Sequence, residues 1–195
     1  AQFILHVLDI WKRTSNFVST GVSKLRKLLK NEFEVISNCI GKLNGQPQRL
    51  ANALIELRQL IAVSLASEPV PKEDKECYIQ YLKEPLCKHL EQFEQQLKDT
   101  EISLRSSSEV DAFDLDGDED LMLLDSSSAK DIAQSKDTII LIVGCFQQMK
   151  SQISIKEGSL FVKLLSHCED NDIIYPLCNL LLSISSVTFC SYVLK

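Results

Sequence analysis

Residues Leu50–Leu65 read LANALIELRQLIAVSL, and their spacing decides the fold. Leu50, Leu54, Leu57, Ile61 and Leu65 recur at steps of four, three, four and four, which sets apolar side chains on one face of an α-helix. Stops bound the stretch on both sides. Asn44-Gly45-Gln46-Pro47 breaks the chain before it. Pro69-Val70-Pro71 ends it, because the residue before a proline is pushed out of the helical region.

The same texture extends outward in both directions. Upstream, Phe3 to Lys12 reads as the tail of a helix. Phe17 to Lys30 carries Val18, Val22, Leu25 and Leu29 on one face, and Phe33 to Leu43 continues in that style. Downstream, Leu82, Leu86, Leu90, Phe93 and Leu97 keep helical spacing through Lys72 to Leu104, with Pro85 starting a new helix or kinking the old one. Asp137 is expected to cap a helix through Ile139 to Met149. Ser159 to His167 is a further helix, Asp170-Asn171-Asp172 caps the next, and a last one begins around Ser185. Thr138 to Val143 and Ile184 to Tyr192 are strand candidates, but both lack alternation and hairpin turns.

About nine short helices with short connections predict an all-α fold. The arrangement expected is an α-solenoid of antiparallel helices, HEAT-like or armadillo-like, with a compact helical bundle as competitor. Leu and Ile carry the apolar content, with 8 Phe, 4 Tyr and 1 Trp, which suits helix-on-helix packing. Three sections follow: helical repeats over 1–105, an acidic loop over 106–136, and repeats over 137–195 that continue past the chain end.

Charge is concentrated in that loop. Ser106 to Ser128 reads SSSEVDAFDLDGDEDLMLLDSSS, with eight acidic residues and no basic one. The chain has 21 basic against 27 acidic residues; without the tract's eight, 19 acids face 21 bases, a balance of +2. Self-repulsion predicts a disordered, solvated loop. Its Asp-Leu-Met-Leu-Leu-Asp run mixes acid and apolar residues, as docking segments do. An EF-hand reading fails. With Gly117 at the required glycine, Ala112 and Leu123 fall where the first ligand and the bidentate Glu belong. Ser106, Ser108 and Ser128 each precede an acid by three positions (Glu109, Asp111, Asp131) and are candidate phosphorylation sites for an acid-directed kinase.

Residues 1–50 are the opposite, with eight basic residues against Asp9, Glu32 and Glu34. Lys24, Arg26, Lys27 and Lys30 form a candidate basic surface on one helix. Basic clusters attract phosphate backbones, yet no aromatics interleave to stack bases. The acidic loop folding over this cluster to mask it is one expectation.

No catalytic, cofactor-binding or metal-binding constellation emerges. His167-Cys168 point about 100° apart on one helix, and His6 and His89 stand alone. There is no phosphate loop, nucleophile elbow or kinase signature. The seven cysteines match no zinc spacing. Cys39, Cys145, Cys178 and Cys190 lie in apolar helical stretches as small hydrophobes, so reduced thiols in an intracellular compartment are expected. No apolar run is long enough to span a membrane. With AQFILHVLDIW at its start and SISSVTFCSYVLK at its end, the chain reads as an excerpt of a longer soluble protein.

The pieces after the acidic tract resemble one family. Val143-Gly144-Cys145-Phe146, then Leu160-Phe161-Val162-Lys163-Leu164-Leu165, an acidic turn, and Pro176-Leu177-Cys178-Asn179-Leu180 stand in an order and spacing similar to large protein kinases of the ataxia-telangiectasia-mutated (ATM) type, particularly plant ones. The resemblance covers roughly residues 109–185; residues 1–105 share only the texture. It implies an N-terminal α-solenoid arm of a nuclear serine/threonine kinase that responds to DNA double-strand breaks. That arm would bind partner proteins and DNA, and none of the family's catalytic residues falls in this chain. The expectation is a non-catalytic scaffold, nuclear or cytoplasmic. The alternative is a helical-repeat adaptor or transport factor with no kinase domain. A compact bundle around a hydrophobic ligand is a third reading.

Overall fold

The computed structural model describes residue 6 and residues 19–66, 71–110, 125–150 and 153–184. Six helices cover them, with no strand among the described residues: α1 (Ser19–Lys42), α2 (Pro47–Ala66), α3 (Lys72–Val110), α4 (Asp125–Gln148), α5 (Ile155–His167) and α6 (Asn171–Ile184). The all-α expectation holds. Helix number and length differ from the expectation, because several breaks foreseen in the sequence are bridged by packing.

The stretch that decided the fold behaves as its spacing requires. Leu50, Leu54, Leu57 and Ile61 of α2 are buried and Leu65 is half-buried; Leu60, off that stripe, is buried too. The breaker before it turns the chain. Gly45 takes φ of 71°, the left-handed region that a side chain disfavours. Pro47 opens α2, where its missing N–H costs nothing, and the Leu50 amide donates to the Gln46 carbonyl at 3.0 Å.

Helix α1 runs straight through the boundary expected near Lys30. Leu29, Phe33, Ile36 and Ile40 form its buried stripe at steps of four, three and four. Phe33 stacks on Tyr78 of α3, ring centres 5.0 Å apart.

Pro85 neither starts a helix nor ends one; it lies inside the 39-residue α3. A proline there removes the hydrogen bond that its N–H would make to the carbonyl four residues earlier. That carbonyl belongs to Tyr81, and the Ser37 hydroxyl of α1 donates to it instead. Gly41, one turn on, lies beside the proline, where an added Cβ would make only an ordinary contact with Pro85 Cβ at 3.8 Å. The break is repaired by a neighbouring helix.

Asp137 is not a cap either. Helix α4 begins at Asp125, so Asp137 lies exposed in its interior. The segment between α3 and α4 therefore spans 111–124, narrower than the expected 106–136. Thr138 to Val143 is helical, and Ile139, Ile142, Val143, Cys145, Phe146 and Met149 are all buried. A helix apolar around most of its circumference is one enclosed by neighbours. Helix α5 starts at Ile155 rather than Ser159, behind a capping box in which the Ser154 amide donates to the Glu157 carboxylate at 2.6 Å. The Asp170 cap is as expected: its Oδ1 accepts from the Asp172 amide at 2.9 Å. Helices expected at Phe3 to Lys12 and from Ser185 lie outside the described residues, apart from the helical His6.

The contacts sort into two rows. Helix α3 packs on α1 and on α5; α4 packs on α2 and on α6; α1 with α2, α3 with α4 and α5 with α6 join the rows. Within the first row the helices run parallel. Arg26, Phe33, Ser37 and Ile40 of α1 meet Asp74, Tyr78, Tyr81 and His89 of α3 in rising order. Lys83 and Glu101 of α3 likewise meet Glu157 and His167 of α5.

Candidate functional site

The basic surface is partly dismantled by folding. Arg26 turns into the α1–α3 seam and pairs with Asp74, and the Tyr78 hydroxyl donates to the Arg26 carbonyl at 3.1 Å. Asp74 raises the Arg26 guanidinium further above its ordinary range. Tyr78 is pushed up to about 12 by burial and by the Asp74 charge, against Arg26. Lys24, Lys27 and Lys30 remain exposed. The cluster is thus three lysines plus one structural arginine.

The masking expectation concerns the acidic tract, whose central residues 111–124 lie outside the described residues.

Ser106 and Ser108 fall in the last turns of α3, and Ser128 in the first turns of α4. The candidate phosphorylation sites therefore sit on helix ends that flank the acidic segment rather than inside one loop.

A pocket of about 280 Å³ lies between the α1–α2 turn and the middle of α3 and α4. Asn44, Gly45, Gln92, Phe93, Gln96 and Thr138 are among its walls, so side-chain amides and apolar groups share its lining. His89 also lines it, and its Nε2 donates to the Ile40 carbonyl at 2.8 Å. That carbonyl can only accept, which fixes the tautomer and gives His89 a structural role. Thr138 donates to the Ser135 carbonyl at 2.7 Å. The mixed lining suits water better than a hydrophobic ligand.

Charged groups occur as clasps between helices. Lys83 of α3 and Glu157 of α5 face each other at 3.6 Å, each side chain 10% exposed. Burial pushes the Glu157 carboxyl up, but the Ser154 hydroxyl and amide and the Lys83 charge outweigh it and hold it below the usual range. Lys136 of α4 lies 2.9 Å from Asp170 and 2.6 Å from Asp172, at the α5–α6 turn. It holds Asp170 below the ordinary carboxylate range and is itself raised by both partners. His167 is less solitary than its sequence suggests. Its Nδ1 is 3.2 Å from Glu101, and its Nε2 4.0 Å from Glu94. Those partners lie 66 and 73 residues away in the chain, and nothing local could have signalled them.

The thiols divide by exposure. Cys145 is buried and pushed up to about 12 by desolvation; Cys87 rises to about 11 for the same first reason. Cys178 is half-buried, while Cys39 is exposed and corrects the expectation that it is a core residue. Cys190 lies outside the described residues. The six described cysteines are free. Among the described residues no group of three His, Cys, Asp or Glu could hold a metal ion, and no helix is long and apolar enough to cross a membrane.

Comparison of the chain with protein-family models, curated proteins and solved structures finds no match in any of the three.

Proposed function

We propose that this chain is a non-catalytic scaffold section of an α-solenoid, a HEAT-like run of three helix pairs. The observation that supports it is the alternation of contacts: first, third and fifth helices in one row, second, fourth and sixth in another, each pair joined across. Nearest-neighbour stacking of helix hairpins is how solenoids bury a core without long-range closure. The polar groups support the same reading, since Lys83–Glu157, Lys136–Asp172 and His167–Glu101 all join helices.

The parent we propose is a large DNA-damage-response kinase of the ATM type, on the resemblance of residues 109–185. On this reading the chain works in the nucleus, takes protein partners, and lies near DNA through the parent. A helical-repeat adaptor or transport factor without a kinase domain is the second reading, favoured by the same contact pattern.

Two measurements test these in turn. Small-angle scattering should give a radius of gyration well above the ~16 Å of a compact chain of this length; a value near that figure would leave a bundle. Sequencing the parent transcript past Lys195 separates the parents. A kinase domain with His-Asp and Asp-Phe-Gly elements supports the first, and further helix pairs with no catalytic domain support the second.

A further inference from the structure

His167 closes one end of the seam between α3 and α5, and both of its ring nitrogens face carboxylates. Nδ1 is 3.2 Å from Glu101 and Nε2 is 4.0 Å from Glu94. A carboxylate can only accept a hydrogen bond, whereas a neutral imidazole carries one N–H and one lone pair. Whichever nitrogen bears the proton, a neutral ring turns its lone pair toward the other carboxylate. Only the imidazolium, with an N–H on each side and a positive charge, satisfies Glu101 and Glu94 together.

The Glu94 side is short of a donor. That side chain is 10% exposed, and its Oε1 is buried without an aligned hydrogen bond among the described residues, although Lys98 Nζ lies 2.5 Å from it. From α3 the ring therefore meets two carboxylates and one amine. Within its own helix, Lys163 is exposed one turn earlier, and Glu169 is exposed just beyond the end. Helix α6, which also packs on α5, brings Asp172, held by Lys136, and further on Tyr175 and Cys178. At the other end of the seam Lys83 faces Glu157. Helix α5 is thus clasped near both ends, once by an amine and a carboxylate and once through a histidine, the side-chain type whose charge ordinarily changes between about pH 5 and pH 8.

We propose that His167 is a proton-operated clasp between α3 and α5. Protonated, it draws on Glu101 and Glu94 together and tightens the seam. Neutral, it holds one of them and turns a lone pair to the other. The clasp contributes stability on the acidic side of neutrality and loses it as pH rises. The inference does not depend on the kinase reading, because it uses only α3, α5 and the contacts between them.

Thermal melting of the full chain at about pH 5.5 and about pH 7.5 tests it, in the parent sequence and in His167→Gln. The parent should melt above His167→Gln by a margin about 2–4 °C wider at the lower pH. His6 and His89 are present in both chains and cancel in that difference. Glu101→Gln, at a side chain 42% exposed, should remove part of the widening, and it carries the same comparison if His167→Gln does not fold. Amide exchange gives a second readout. Corrected for the intrinsic rate, the last turns of α5 should be better protected at the lower pH, and this gain should shrink in Glu101→Gln. A melting margin that is equal at both pH values, or wider at the higher one, overturns the proposal. So does protection of α5 that is indifferent to pH.

Discussion

The two helix rows share one apolar core but differ in the polar contacts that join their helices. In the row of α1, α3 and α5, directed polar contacts fix the pairing: Arg26 with Asp74, Ser37 with the Tyr81 carbonyl, His89 with the Ile40 carbonyl, Lys83 with Glu157, and His167 with Glu101. In the row of α2, α4 and α6, the interior is almost wholly apolar. Leu54, Leu57 and Ile61 line α2, Ile142, Val143 and Cys145 line α4, and Leu177 and Leu180 line α6. Its polar contacts are few: Lys136 to Asp170 and Gln147 to the Pro176 carbonyl, neither fully buried, and the buried Cys145 thiol 4.0 Å from the Leu54 carbonyl. Burial is non-directional and supplies most of the stability; hydrogen bonds and ion pairs add little net energy but are costly when one partner is removed. Both rows feed one apolar core, to which the first contributes Leu29, Phe33, Leu82, Leu86, Leu90 and Phe161, and the first row adds the directed contacts that set register.

Breaking the apolar row should have the largest effect. Leu54→Ala, at a site with no exposure, should cost about 2–5 kcal/mol in urea unfolding. Leu57→Asp should leave no cooperative transition, because an unpaired buried charge removes most of a domain's margin. Unchanged melting of Leu57→Asp would refute the stripe.

In the polar row the test is whether removing one partner costs more than removing both. Lys83→Met leaves Glu157 facing no cation across the seam and should cost about 3 kcal/mol. The double change Lys83→Met/Glu157→Leu should recover part of that. A double variant weaker than the single would mean that Glu157 acts chiefly through its cap.

Next is Ser37→Ala, which strands the carbonyl that Pro85 left without a donor. It should cost about 1–3 kcal/mol, and Pro85→Ala in the same background should restore much of it, because the helix then supplies its own donor. No rescue would mean that Ser37 is not the repair.

The pH dependence belongs to the same row. Glu157 is held below its unfolded value, so its contribution is present above the unfolded carboxylate pKa of about 4.3 and is lost as pH falls through the folded value. Glu157→Gln should flatten the acid limb of the stability curve. An identical acid limb would assign acid unfolding to other carboxylates.

The smallest effect belongs to Lys136→Ala. The clasp to Asp170 and Asp172 is near the surface and screened, so melting should shift least and the shift should shrink in salt. A shift comparable to that of Lys83→Met would make this edge contact part of the register.

Much of the fold was legible because helices are written locally. The 4-3-4 spacing of Leu50 to Ile61, the Asn44–Pro47 turn and the Asp170 cap needed only neighbouring residues. Helices run through the boundaries expected at Lys30, Pro85 and Asp137, and at Pro85 the structure shows a neighbouring helix overriding the local rule. Pro85 is the clearest case, since the donor that keeps α3 whole sits 48 residues from the proline. Leu60, off the stripe yet buried, shows the same limit, because α2 is covered by α1 and α4 together.

The basic cluster carries the same lesson toward function. Its four residues were visible as a run of charge, but charge spacing does not say which side chains stay free. The sequence alone determined that the chain is helical, where its strongest apolar stripe lies, and that acid and base are segregated into separate segments, because composition and short-range periodicity carry all three. Only the tertiary structure decided that Arg26 is paired with Asp74 while Lys24, Lys27 and Lys30 stay exposed. Those facts depend on which helices lie side by side and in which direction they run, and no local pattern encodes that.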